Sequence, residues 1–225
     1  MSVALIDRGA PGEETSYGNA GIIEGNTIFA PAFPNDALAL LRVIFKRAPE
    51  ANYQFSFLPA VLPWLAQFRS WSSTTKRIDH GRLVRRLSAN AIPEHQSLLA
   101  EAGGSRYLRK TGWLKVYRRD KTFDALAAER AHAQEFGIVY DIISADAARA
   151  LEPALSPVFK HAVFWPKAVS ISSPLGVTRA YLARFEALGG VMLKGDARSL
   201  HRNGAYWRVE TDEGALDAQK VVVAL

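Results

Sequence analysis

The sequence predicts a mixed α/β fold, and three observations carry the prediction. A short apolar run, Val3 to Ile6, closes on Asp7-Arg8 as a parallel strand covered on both faces does. A polar loop with glycines at 18 and 21 follows. Helical patterns and short strands then alternate along the chain. Turn signals at Asn203-Gly204 and Asp212-Glu213-Gly214 set out a small antiparallel meander before the apolar run Val221 to Leu225.

Asp7 stands where the first strand gives way to loop. In open parallel sheets ligands settle at the carboxyl ends of strands, and a carboxylate there accepts hydrogen bonds from ribose hydroxyls. The other reading is a solvated acid at a strand end. In the loop, Gly18 and Gly21 let the backbone come close to a planar or phosphorylated ligand, while Thr15, Ser16 and Asn19 set short polar side chains beside main-chain amides. An ordinary surface turn has the same composition.

Beyond the loop, Ala30 to Pro34 reads as an extended connection and Asp36 to Lys46 as a helix ending in basic residues. Asn52 to Leu58 alternates aromatic and polar residues as an extended segment does, and Ala60 to Ser70 is a helix with Pro63 in its first turn. Tyr53, Phe55, Phe57, Trp64, Phe68 and Trp71 crowd this stretch, either as core or as a patch for a membrane surface. Asp79 to Ala102 has helical spacing, split or kinked by Pro93 and ended by Gly103-Gly104.

Trp113 to Tyr117 is a strand whose alternation puts Trp113, Lys115 and Tyr117 on one face. Asp120 to Phe136 reads as one helix closed by Gly137, Val139 to Ile143 as a strand, and Ser144 as the cap of a short helix ending before Pro153. Lys160 to Trp165 is a further strand. Ser173-Pro174 opens a helix that runs to Leu188 and stops at Gly189-Gly190, and Val191 to Leu193 returns as a strand.

Composition bounds the function. The 225 residues are 48% hydrophobic, enough for one large or two intimate domains. No cysteine is present, which excludes disulfides, thiolate chemistry and a cysteine-linked cofactor within this chain. The net charge of +6 is spread over 28 basic and 22 acidic residues without a basic block, so nucleic acid is not an expected partner. The densest basic cluster, Arg82, Arg85 and Arg86, sits on a helical pattern and reads as a solvated face. The five histidines lack metal-ligand spacing, so no metal is expected, and no nucleophile elbow, P-loop or paired-carboxylate motif occurs. No run is long enough to span a membrane and no secretory signal is visible, which makes a cytoplasmic location the expectation.

Leu5-Ile6-Asp7-Arg8, Glu14-Thr15-Ser16 and Gly18-Asn19-Ala20-Gly21-Ile22-Ile23 resemble the start of bacterial D-amino-acid dehydrogenases, members of the FAD-dependent D-amino-acid oxidase superfamily. Leu62-Pro63-Trp64-Leu65, Gly112-Trp113-Leu114-Lys115-Val116-Tyr117, Ala150-Leu151-Glu152-Pro153-Ala154-Leu155 and Val221-Val222-Val223-Ala224-Leu225 continue the likeness in order. The resemblance implies a partial glutathione-reductase-like FAD-binding domain, 1–35 and 174–225, with an inserted α+β substrate domain, 36–173. It implies FAD contacts from Asp7, Arg8, Thr15, Ser16, Gly18, Asn19, Ala20, Gly21 and Ile22, with Ala197 on the adenine side. It also makes Trp113, Lys115, Tyr117, Trp165 and Lys167 substrate-pocket candidates, each with a plain reading as sheet or surface residue. No catalytic acid or base can be named.

The implied activity is oxidation of the CH–NH bond of D-amino acids to 2-oxo acid and ammonia, with electrons passed to a quinone or another acceptor. Glycine, sarcosine, D-hydroxyproline or another secondary amine are alternative substrates. An acceptor in the lipid phase implies peripheral contact with the inner face of the plasma membrane. The family's first strand and its Gly-x-Gly-x-x-Gly turn do not precede Val3, so the chain reads as truncated at both ends. A non-catalytic fragment unable to hold FAD alone is the expectation of another class.

Overall fold

In the computed structural model of the chain, residues 2–25, 32–34, 37–47 and 53–224 are described, with Ala39 by its backbone only. Residues 30 and 31 of the expected extended connection, and Asp36 at the head of the expected helix, lie outside that set.

The first part of the chain forms β1 (Ala4–Asp7), β2 (Ile22–Ile23), α1 (Ala37–Ile44), α2 (Leu58–Trp71), α3 (Thr74–Ser88) and α4 (Ala91–Glu101). The middle forms β3 (Leu108–Arg109), β4 (Trp113–Tyr117), α5 (Asp120–Asp124), α6 (Ala127–Glu135), β5 (Asp141–Ile143), α7 (Ala145–Leu151), β6 (His161–Trp165) and β7 (Val169–Ile171). The last part forms α8 (Pro174–Ala187), β8 (Val191–Lys194), β9 (His201–Asn203), β10 (Tyr206–Thr211) and β11 (Gly214–Ala218). The chain divides into two compact units, one of residues 1–23, 91–113 and 167–225, the other of residues 24–90 and 114–166. The first unit thus takes in 91–113 besides both chain ends.

In the first unit β1 and β8 run parallel, with Ala4 opposite Val191 and Asp7 opposite Lys194. β7 is the middle of a second sheet, antiparallel to β2 on one side and β3 on the other. β9, β10 and β11 form the expected meander. The β9–β10 loop is Gly204-Ala205, because Asn203 pairs with Tyr206, and only Gly204 has a positive φ, 62°. That is the pattern of a II′ turn rather than one centred on Asn203-Gly204. Val221 to Val223 form no strand, because among the described residues no neighbour offers them a ladder; Val222 is 90% exposed.

Helices α4 and α8 pack across Leu99, which is fully buried. A Cβ on Gly104 would lie 2.6 Å from Leu99 Cδ2 and 3.3 Å from Ala180 Cβ, so the glycine lets the turn after α4 close onto this core. His95 Nδ1 lies 2.7 Å from the Tyr181 hydroxyl, and their rings stack. Burial raises the Tyr181 phenol's pKa. Ser173 opens α8 as read from the sequence, its Oγ accepting from the Gly176 N–H at 3.0 Å.

In the second unit β4, β6 and β5 form one sheet in that order. Ala148 of α7 and Ala162 of β6 are fully buried beside Phe159, and Leu114, Val116, Ile143, Ala145 and Leu155 close round them. Ser144 caps α7 by accepting from the Ala147 N–H at 3.1 Å. Three expectations change here. Phe55–Phe57 is a 3₁₀ turn leading directly into α2, so the expected extended segment does not run on to Leu58, and Asn52 at its head lies outside the described residues; adjoining helix formation outweighs a short alternating pattern. The helix expected over Asp79 to Ala102 is two, and the break falls at Ala89-Asn90, leaving Pro93 in the first turn of α4 where a missing N–H is harmless. Asp120 to Phe136 is likewise broken at Ala125-Leu126.

The short helix α5 anchors a polar chain. Asp120 accepts from Lys160 Nζ at 2.8 Å and lies 2.8 Å from His161 Nε2. The His161 ring stacks on Phe123 at 4.4 Å, and the Arg130 guanidinium covers the same Phe123 at 3.9 Å. Tyr117 closes edge-on against Phe123. Burial pushes the Tyr117 phenol up, opposed by Arg130.

Leu99→Ala should destabilise the fold by about 2–5 kcal/mol, read as a lower urea midpoint at unchanged slope. Hydrogen bonds from Lys160 and His161 hold the Asp120 carboxyl down at about 2, below its ordinary 3.8. A depressed folded-state pKa contributes stability that is present above 3.8 and lost as pH falls through about 2. The stability gap between wild type and Asp120→Asn should therefore close across that window; a pH-independent gap would show that the carboxylate's charge contributes nothing.

Candidate cofactor site

The pairing of β1 with β8 brings two distant segments to one edge. Both strands end at the same level, and the Gly195 N–H donates to the Asp7 carbonyl at 2.9 Å. Asp7 turns its carboxylate back on its own loop, where Oδ1 accepts from the Gly9 N–H at 3.0 Å. Among the described residues no group engages Oδ2, which leaves an acceptor at the carboxyl end of a parallel strand. Arg8 is exposed beside it and acts electrostatically on Asp196 across the edge.

Asp196 organises the opposite side. It heads the 3₁₀ turn Ala197–Ser199, accepting from the Arg198 N–H at 2.9 Å and gripping the Arg198 guanidinium through both oxygens. These bonds hold its carboxyl down at about 2. Ala197, the sequence candidate on this side, is exposed at the crest of the turn. Gly195 was not a sequence candidate, yet it sets the geometry: a Cβ there would meet the Glu210 carbonyl at 2.6 Å and Ile6 Cγ2 at 3.0 Å. A glycine directly after a strand was the available signal.

The loop from Gly9 to Gly21 packs along α8. A Cβ on Gly12 would sit 3.0 Å from Leu175 Cδ1 and from Thr178 Cβ, and Glu13 pairs with Arg179 at 2.9 Å. Thr15, Ser16, Gly18, Asn19 and Ala20 follow through turns, with no partner for the Thr15 and Ser16 hydroxyls among the described residues. Gly18 has φ 72° and open space where a Cβ would point. Asn19 Oδ1 accepts from the Gly21 N–H at 2.8 Å, which fixes Gly21 at φ 61° against the Ile171 carbonyl. Ile22 then enters the sheet opposite Ser170.

The substrate-pocket candidates are dispersed over both units. In the second, Leu114 and Val116 face the alanine core, while Lys115 sets its ammonium 5.6 Å from the Tyr117 ring and Tyr117 is buried against Phe123. Trp165 faces Tyr140 with ring centroids 6.4 Å apart. Trp113 and Lys167 belong to the first unit, Lys167 exposed. Among the described residues no group of three or more metal-ligating side chains occurs.

The fold is mixed α/β, with a parallel strand pair whose ends carry the candidate site. The chain belongs to the family described as FAD dependent oxidoreductase, DAO, whose pattern it matches over residues 1–225. It is 27% identical over 226 residues to a D-amino-acid oxidase of Bradyrhizobium diazoefficiens, covering 99% of this chain and 53% of that protein. It is 27% identical over 242 residues to a D-amino acid dehydrogenase of Agrobacterium fabrum, covering 99% and 54%. The solved glycine oxidase of Geobacillus kaustophilus shares the fold, with a TM-score of 0.59 at 17% identity over 97% of this chain and 47% of that one. The chain spans about half the length of the curated relatives it matches.

FAD is the cofactor of this family, and the residues at the β1–β8 edge suit its adenosine half. They offer an acceptor carboxylate and exposed main-chain groups, and the loop that follows β1 leaves open space beside Gly18. No Gly-x-Gly-x-x-Gly occurs in the 225 residues.

Gly18→Ala and Gly21→Ala both force a Cβ into the left-handed region, at roughly 1–2 kcal/mol. Only at Gly21 does the Cβ also fall 2.5 Å from a carbonyl oxygen. Gly21→Ala should therefore lower the urea midpoint clearly more than Gly18→Ala; equal effects would show that the close approach to Ile171 is not a constraint.

Proposed function

We propose that this chain carries the adenosine side of the FAD site, and part of the substrate side, of an oxidoreductase that oxidises the CH–NH bond of D-amino acids. The observation that carries the reading is the edge where β1 ends at Asp7 and β8 leads on to the turn at Ala197, in a chain that matches the family along its whole length. In this reading Asp7 Oδ2 accepts from the ribose, Arg8 and the glycine loop border the cofactor, and main-chain groups at Ala197 meet the adenine. The exposed turns 15–20 give the approach its room. Bound FAD supplies a two-electron acceptor for the hydride of the substrate α-carbon; the oxidised product hydrolyses to a 2-oxo acid and ammonia.

The names of the two relatives favour D-amino acids over other amines. Glycine, sarcosine, D-hydroxyproline and other secondary amines stand as the second reading, supported only through the fold shared with a glycine oxidase. Trp113, Lys115, Tyr117, Trp165 and Lys167 are proposed near the substrate on the resemblance alone. The electron acceptor is proposed to be a quinone or another carrier, and a quinone confined to a bilayer brings the protein to a membrane surface. Among the described residues no helix is long and apolar enough to cross one.

The test is the visible spectrum of the purified chain after incubation with FAD and gel filtration. A retained flavin band that bleaches anaerobically with a D-amino acid and not with its L-enantiomer supports the proposal. Bleaching by glycine or sarcosine alone moves it to the second reading, and no retained flavin assigns this chain to the non-catalytic class. Asp7→Asn should weaken FAD retention about tenfold, as loss of a charge-assisted hydrogen bond does, with little effect on FMN, which lacks the adenosine. Equal loss of both flavins would remove Asp7 from the ribose.

A further inference from the structure

The β2–β7–β3 sheet of the first unit has one covered face and one open face. Ile23 and Val169 are paired and buried, and Leu108 and Ile171 pair beside them half-buried. Side chains alternate along each strand, so the residues between these point to the other side. There the register sets Ile22 opposite Ser170 and Ser170 opposite Arg109, one row across three strands. Ile22 and Arg109 are exposed and Ser170 is half-buried. The row starts where the glycine loop ends, since the Gly21 carbonyl accepts from the Ile171 N–H and Ile22 follows directly.

The chemistry changes along the row. Ile22 offers an apolar surface at one end. In the middle Thr111 Oγ1 donates to Ser170 Oγ at 2.9 Å, which leaves the serine its own proton to give. At the other end stands the Arg109 guanidinium. It spends Nη1 on the Arg106 carbonyl at 2.8 Å and on that of Leu108 at 3.4 Å, and among the described residues no group engages its Nε or Nη2.

That free edge is the one this protein uses elsewhere to hold carboxylates. Arg198 grips Asp196 through Nε and Nη2, and Arg208 grips Asp217 in the same way. Two parallel N–H groups match the two oxygens of a carboxylate, and an ammonium cannot reproduce the fit. The neighbouring Arg106 is committed to the Gly103 carbonyl and the Tyr107 hydroxyl. The segments that build the sheet, 15–23, 105–113 and 167–173, carry Arg106, Arg109, Lys110 and Lys167 and no acid. Strands lie about 4.8 Å apart, so the row spans roughly 10 Å, room for a small molecule with an apolar group at one end and a carboxylate at the other.

We propose that this open face is the substrate's subsite, and that Arg109 takes the carboxylate of the amino acid through its Nε and Nη2 groups with Ser170, positioned by Thr111, beside it. Neither Arg109 nor Ser170 is among the five pocket candidates. The proposal deepens the oxidoreductase reading and rests on it.

The test is the binding of pyruvate, a 2-oxo acid with no CH–NH bond to oxidise, to the full chain incubated with FAD, read by saturation-transfer NMR with pyruvamide as the uncharged control. Wild type should bind pyruvate about tenfold more tightly than pyruvamide. Arg109→Gln should weaken pyruvate about tenfold and leave pyruvamide unchanged, as loss of a charge-assisted pair does. Arg109→Lys, which keeps the charge and loses the fork, should recover only part of the affinity. Lys110→Gln removes a neighbouring cation and should bind as wild type does. The urea midpoint of Arg109→Gln should match wild type, which separates recognition from a structural role. A wild type that binds no pyruvate overturns the proposal, and so does equal loss in Lys110→Gln, which would reduce the attraction to diffuse charge. Inorganic phosphate that displaces pyruvate at equal concentration, with loss of FAD retention in Arg109→Gln, assigns the cation to the cofactor's phosphates and overturns it too. The two readings fail apart. Retained flavin with an Arg109-independent pyruvate signal sinks the subsite alone, whereas an Arg109-dependent signal in a chain that holds no flavin sinks the cofactor reading and leaves the carboxylate site standing.

Discussion

The parallel register of β1 on β8 is the constraint on which the candidate site depends. A parallel ladder brings both strands to an end at the same edge, so segments from opposite ends of the sequence open their loops together. The Asp7 carbonyl is tied to the Gly195 N–H at that edge. Everything proposed to touch the adenosine follows from this bond: an acid with one oxygen uncommitted on one side, and a turn locked by Asp196 on the other. A register slip of one residue would turn every β1 side chain to the other face and carry Asp7 away from Gly195.

Glycine keeps the same edge compact. Gly195 admits β10 across the end of β8, where it bridges to Thr211, and Gly12 admits the loop to α8. The ion pairs around them are a different matter. Arg198–Asp196, Arg179–Glu13 and Arg208–Asp217 lie at the surface, where water screens them and the net worth of each is small. Their use is orientation: Asp196 cannot leave its cap without releasing Arg198. In the second unit the order is reversed. Ala148 and Ala162 let a helix lie directly on the sheet, and the aromatic chain Tyr117–Phe123–His161, covered by Arg130, seals its flank.

Where a local signal and the tertiary contact agreed, the sequence was sufficient. Ser144 and Ser173 cap as read, the strands around 113–117 and 161–165 stand within a residue of expectation, and Asp7 lies at the strand end. The departures share a cause: the pattern was right and the partner was not visible. Phe55–Phe57 alternates like a strand, but among the described residues no strand pairs with it and α2 draws it into a helical turn. Val221 to Val223 is apolar enough for a strand, and a strand needs a ladder. The pocket candidates could not be settled because alternation tells which residues share a face of β4 and not what that face meets. Gly195 was missed for the converse reason, since a lone glycine does not announce which backbone it admits.

The exposed groups at the candidate site call for a partner with directional polar groups. Among the described residues a carboxylate oxygen is left unengaged at the β1–β8 edge, and the loop that follows β1 carries two unpartnered hydroxyls and open space beside a glycine. Such a surface gains little from a partner without matching hydrogen bonds, which is the specificity expected of a nucleotide's ribose and base.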